Sequence, residues 1–178
     1  VGYTSTAGFS IAGHEIINEM KMTMPGRFYL QKILRRMVRA GCDYAIVETS
    51  SQGIEQHRHI GINYDLVTYT NLTPEHIEAH GGFDNYKKAK GKLFAHLVNR
   101  SRKTINGNKI DKIAVINADG DYAPYFSSFK ADRHVTYSKS GSPDTDHLVV
   151  KRGKSDAPGL AIKVNDVGMT VPYIATFQ

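Results

Sequence analysis

The chain has 178 residues, 40% hydrophobic and 22% charged, with a formal charge of +6 and one cysteine. That length suits a single domain burying roughly 70% of its unfolded surface. One cysteine excludes an internal disulfide framework, and without a run of about 18 apolar residues nothing spans a membrane. The start shows no secretory signal, and the charge favours acidic partners, either nucleic acid or an anionic nucleotide-linked metabolite, without choosing between them.

In chain order, Val1 to Thr6 reads as a strand and Gly8 to Ile17 as a hairpin turning at Ala-Gly-His. Met20 to Pro25 reads as a loop. From Gly26 to Ala40, Phe28, Leu30, Ile33, Leu34 and Met37 recur at helical spacing, opposite Arg35, Arg36 and Arg39, and Gly41 caps the end. Cys42 is then a turn or packing residue, with a nucleophile as the alternative. Tyr44–Val47, Leu66–Thr70 and Ile113–Ile116 are apolar runs of the kind covered on both faces. Helical patterns lie between them, a short one over 53–59 and a longer one over 83–99 with Tyr86, Leu93, Phe94 and Leu97 inward. This alternation predicts an α/β fold, a mostly parallel sheet flanked by helices, with ligands at the carboxyl ends of the strands. Residues 101–109 read as a polar loop. Beyond Asp132, stretches at 135–138, 147–151, 159–164 and 168–174 predict a small antiparallel β portion.

Three segments carry chemistry. The first, ETSSQGIEQHR at 48–58, ends a strand with a carboxylate suited to Mg²⁺, followed by Gln56 and Arg58 to grip an anion; its other reading is a polar loop with a helix cap. In TNLTPEHIEAHG at 70–81, Thr73 and Pro74 predict a helix start. His76 and His80 then share a face, either as a zinc pair or as surface histidines. The third, YKKAK at 86–90, opens a lysine-rich helix face, solvated or touching a phosphate.

In that order and at those spacings, the three resemble the motifs of Mur ligases of the MurE type, E-V-S-S-x-G-L-x-Q-x-R, T-N-L-x-x-D-H-L-D-x-H-G and Y-x-x-A-K. Lys21–Pro25 resembles the family's T-T-P substrate loop, and Ile116–Asp119 its I-N-x-D segment. The resemblance runs from Val1 to about Asp121. It implies the family's central ATP-binding domain, P-loop-NTPase-like in fold, across 1–178. Glu48, His76 and Lys90 would be the catalytic and metal-holding set, with Lys90 carbamylated and two Mg²⁺ beside ATP. Thr23, Ser50, Gln56 and Arg58 would contact a UDP-N-acetylmuramoyl-peptide, and Asn117 the adenine side. The implied reaction adds the third residue, an amino acid of the diaminopimelate or lysine type, to the UDP-N-acetylmuramoyl-dipeptide through an acyl phosphate, in cytoplasmic peptidoglycan synthesis, with no nucleic acid or membrane partner.

The family's phosphate loop, G-T-x-G-K-T-T, does not occur in these residues, and neither do its N-terminal UDP-binding and C-terminal amino-acid-binding domains. The expectation is therefore a fragment, truncated before Val1 and inactive alone. Met24 in place of a second threonine, Glu75 and Glu78 in place of aspartates, and Gly120 in place of an acidic residue depart from the family. A non-catalytic binding module is the alternative class. Within ligases, folylpolyglutamate and cyanophycin synthetases share the carbamylated lysine.

Overall fold

The computed structural model describes residues 1–74, 77–139, 147–152, 160–165 and 167–171. In chain order the elements are β1 (Gly2–Thr4), β2 (Gly8–Ile11), β3 (His14–Ile17), α1 (Arg27–Arg39), β4 (Ala45–Val47), α2 (Ser51–Glu55) and β5 (Leu66–Tyr69). A 3-10 turn (Ile77–His80), α3 (Phe83–Val98), β6 (Thr104–Ile105), β7 (Asn108–Lys109), β8 (Ile113–Asn117) and α4 (Ala123–Ser127) follow, then β9 (Arg133–Ser138), β10 (His147–Arg152), β11 (Leu160–Val164) and β12 (Val167–Val171). They form two compact units, residues 1–64 with 74–96, and residues 65–73 with 97–178.

The first unit holds a four-stranded sheet in the order β3-β2-β1-β4, antiparallel except for the parallel pair β1–β4. Its hairpin turns where expected: Ala12 and Gly13 both take positive φ, 50° and 87°, the twist a two-residue hairpin needs. Leu30, Ile33 and Met37 give α1 its buried stripe. Phe9, Ile11, Ile33 and Met37 form a core against which Ile16, Met20, Leu34 and Cys42 pack. Gly41 (φ 73°) ends α1 as expected: its N–H bonds Val38 O, and that of Cys42 bonds Met37 O. Cys42 is thus a packing and capping residue.

Two expectations here are corrected. Phe28 is 82% exposed; two residues before Leu30, it lies about 200° around the helix from the buried stripe. The 44–47 run is not covered on both faces, since β4 is the edge of its sheet and Tyr44 and Ile46 are exposed.

The second unit holds a six-stranded sheet in the order β12-β11-β10-β9-β8-β5. Pairs β5–β8, β8–β9 and β9–β10 are parallel, so the mostly parallel α/β expectation holds. Of the strands expected to be antiparallel, β9 instead runs parallel to both its neighbours, while β10–β11 and β11–β12 are antiparallel as expected. In β5 burial alternates, Val67 and Tyr69 in, Leu66 and Thr68 out, as in a strand with one face packed. The expected polar loop contains the hairpin β6–β7, turned by Asn106 (φ 51°) and Gly107 (φ 80°), an Asn-Gly signal that alternating apolar residues do not flag. Arg102 clamps it with a forked pair to Asp132 at 2.9 and 2.5 Å, which holds that carboxyl below the usual range. Helix α4 was not foreseen; its Phe126 is fully buried, stacked 4.2 Å from the Tyr69 ring. Among the described residues no helix is long and apolar enough to cross a membrane.

Candidate functional site

Glu48 is the first residue past β4, fixed by its own N–H donating to Thr4 O at 3.0 Å. Its exposed carboxylate accepts the Thr6 N–H on Oε2 at 2.9 Å, with Thr6 Oγ1 at 3.4 and 3.5 Å from its two oxygens. Thr6 Oγ1 lies 2.7 Å from Thr23 Oγ1. The Glu48 carboxylate and the hydroxyl of the candidate substrate loop are thereby joined through one threonine. Asn18, buried beneath them, sends its amide N–H groups to Ser5 O, Thr6 O and Met22 O at 3.1, 3.2 and 2.8 Å.

Helix α2 carries the next candidates. Ser50 is its N-cap, accepting the Gly53 N–H on Oγ at 3.2 Å, so its own hydrogen is left to donate outward. Gln56 caps the other end, exposed. There His57 takes the left-handed φ of 57° that glycine usually supplies, and Arg58 N–H bonds Gly53 O at 2.9 Å. This turn aims Arg58 at the 21–25 loop, where Nη1 donates to Met24 O and sits 3.6 Å from Met22 Sδ. Met24, the departure from the threonine pattern, is 1% exposed and packs over Gly53, where a Cβ would meet Met24 Sδ at 2.8 Å. Its side chain anchors the loop.

Ser51 Oγ lies 2.9 Å from His80 Nε2, and the His80 ring 5.3 Å from that of Tyr86. Lys90 Nζ sits 5.3 Å over the same Tyr86 ring, a cation–π distance. One chain of contacts thus links the 48–58 segment to α3 and its lysine. Of the other lysines on that helix, Lys87 pairs with Asp84 at 3.0 Å and Lys92 with Glu55 at 2.8 Å. The first turn of the helix expected at Pro74 lies partly outside the described residues, which resume with a 3-10 turn at Ile77–His80, closed by Gly81 and Gly82 at positive φ. His76 lies outside the described residues, and among these no group of three or more His, Cys, Asp or Glu could hold a metal ion.

Behind α2, His59 is 4% exposed and meets His96 edge-on at 4.9 Å, and His96 Nε2 is 2.8 Å from Ile62 O. Burial pushes the nearby Tyr64 hydroxyl up to about 12, against the pull of Thr49. In the second unit, Asn117 ends β8. Its amide donates to Thr70 O at 2.7 Å and accepts the Asp119 N–H at 3.1 Å, tying the carboxyl ends of β5 and β8 together. Gly120 follows with no room for a side chain: a Cβ would stand 2.7 Å from the Tyr69 hydroxyl oxygen.

Thr6, Asn18 and His80 as a hydrogen-bonding residue were missed in the sequence. Thr6 meets Glu48 from 42 positions away, and no local pattern signals that pairing.

A family model for the Mur ligase middle domain matches residues 1–178. A UDP-N-acetylmuramoyl-L-alanyl-D-glutamate–2,6-diaminopimelate ligase of Geobacillus kaustophilus is 32% identical over 142 residues, 80% of this chain and 27% of that protein. The ligase of the same name from Bacillus cereus is 36% identical over 162 residues, 90% of this chain and 32% of its own length. A solved structure of a ligase of that name superposes with a TM-score of 0.72 at 22% identity, over 98% of this chain and 34% of the other, a likeness of fold. The chain therefore spans about a third or less of the relatives it matches.

Proposed function

Since this chain belongs to the Mur ligase middle-domain family, we propose that it is the ATP-handling part of a ligase joining an amino acid to a UDP-N-acetylmuramoyl-dipeptide. The observation that carries the reading is the hydrogen-bonded set Glu48–Thr6–Thr23, which couples a carboxylate fit for a hard cation to the hydroxyl of the substrate loop. In this reading a substrate carboxylate attacks the γ-phosphate of ATP and releases ADP, and the amine of the incoming amino acid then displaces phosphate from the acyl phosphate, losing a proton as the amide forms.

The residues divide the work accordingly. Thr23 and Ser50 offer hydroxyls, and Arg58 keeps donors beyond the one bonding Met24 O, for an anionic substrate approaching loop 21–25. Glu48, with His76, would hold Mg²⁺, and a Lys90 carbamate would hold a second. These ions would supply positive charge to offset the repulsion between carboxylate and triphosphate. Glu48 fits that role: it is exposed, oxygen-bearing and oriented by a backbone N–H. Asn117 would stand on the adenine side. The incoming amino acid would be of the diaminopimelate or lysine type, and the setting the cytoplasm.

The test uses the full-length protein with UDP-N-acetylmuramoyl-L-alanyl-D-glutamate, ATP, Mg²⁺ and each amino acid in turn, reading the amide product by mass. Product should form with one of them, fall at least a hundredfold in Glu48→Ala and Lys90→Ala, and be absent with the 178-residue chain alone. Undiminished product in both variants, or none with any amino acid, refutes the proposal.

A further inference from the structure

The Thr6 hydroxyl has one hydrogen and two neighbours that want it, Thr23 Oγ1 at 2.7 Å and the Glu48 carboxylate at 3.4–3.5 Å. Either threonine can donate in the shorter contact. We propose that Thr6 is a positioning residue whose hydroxyl couples cation binding at Glu48 to anionic-substrate binding at Thr23. This rests on the functional reading above.

The argument is one of hydrogen counting. A hydroxyl hydrogen rotates to suit its surroundings. Hydrogen bonds to an ionised acceptor are about twice as strong as neutral ones. With a bare carboxylate at Glu48, a small rotation points the Thr6 hydrogen at it, and Thr23 must then donate its own hydrogen to Thr6. Loop 21–25 now shows an incoming anion only the lone pairs of Thr23. A cation on Glu48 cancels that pull. The Thr6 hydrogen turns to Thr23, whose hydrogen is released to donate to the substrate. The Thr6 backbone N–H stays on Glu48 Oε2 at 2.9 Å in both arrangements, so the carboxylate need not move. Asn18 holds Thr6 O and Met22 O with one amide, which keeps the bend and the loop in register while the hydrogens reorient.

The gain is one hydrogen bond, about three- to tenfold in affinity. Linkage makes it mutual, with substrate tightening the cation by the same factor.

Calorimetry on the full-length protein tests this, measuring the Kd of UDP-N-acetylmuramoyl-L-alanyl-D-glutamate with and without saturating Mg²⁺, and of Mg²⁺ alone. Wild type should bind the nucleotide-peptide about three- to tenfold more tightly with Mg²⁺. Thr6→Val keeps the backbone bond and loses the hydroxyl. It should bind Mg²⁺ alone within about twofold of wild type yet show coupling below about twofold, and Thr6→Ser should restore it. Thr6 is exposed, so valine disturbs no packing, and Thr6→Ala provides a second hydroxyl-free variant. Full coupling in the hydroxyl-free variants, or none in wild type that binds both ligands, overturns the relay alone. Wild type that does not bind the nucleotide-peptide overturns the functional reading and the relay together.

Discussion

Replacing Gly120 by alanine sets a methyl group against a buried ring. The new Cβ would stand 2.7 Å from Tyr69 Oη, 3.1 Å from Cε1 and 3.2 Å from Cζ. Tyr69 cannot easily retreat, being 3% exposed and stacked on Phe126. Gly120 does not need positive φ, so the whole cost falls on this contact. Overpacking of that kind costs about 1–3 kcal/mol. Tyr69→Phe alone removes the nearest atom and the hydroxyl's bond to the Tyr122 backbone, a loss of about 0.5–1.5 kcal/mol. In the double variant the 2.7 Å clash is gone and only the two looser contacts remain. The pair should therefore cost about 1 kcal/mol less than the sum of the singles, well outside the roughly 0.5 kcal/mol within which independent sites add. Urea denaturation of the four proteins closes the cycle. Additive effects, or a Gly120→Ala variant as stable as wild type, would show that Tyr69 does not dictate this glycine. The same contact leaves no room at position 120 for a longer side chain beside this tyrosine.

Two further predictions follow from the first unit. Arg58→Ala strips the donor from the buried Met24 carbonyl and should cost about 1–3 kcal/mol in urea denaturation; a loss below about 0.5 kcal/mol would show that the clamp on the loop is dispensable. Tyr64 has its pKa raised to about 12, so between pH 10 and 12 the unfolded chain gives up a proton that the folded one keeps. Stability from this group is therefore complete below pH 10 and fades as pH climbs to 12. Thermal unfolding across that window should show the decline in wild type and a shallower one in Tyr64→Phe; identical slopes would remove Tyr64 from the account.

Local signals in the sequence were good guides where the cause is local. The buried stripe of α1, the glycine ending it, the Ala-Gly turn and the Ser50 cap all depend on residues within a few positions of one another. Apolar runs were poorer guides, because hydrophobicity states what a strand can bury and not which neighbours it receives. Ile46 sits at a sheet edge, and Leu66 faces outward from a strand packed on one face. The order and spacing of the three motifs pointed to the family. The contacts that join them, Thr6 with Glu48 and Ser51 with His80, cross 42 and 29 positions and were invisible until the chain was folded.

The Asn18 amide has two hydrogens and serves three carbonyls drawn from two separate stretches of backbone. If either stretch peels away, the buried Asn18 amide loses hydrogen bonds that water cannot readily replace there. Bend and loop should accordingly breathe as one body, and an insertion at residues 19–22 would be felt at Thr6 and Glu48. The Ala12–Gly13 turn carries no such tether and could lengthen without consequence for it.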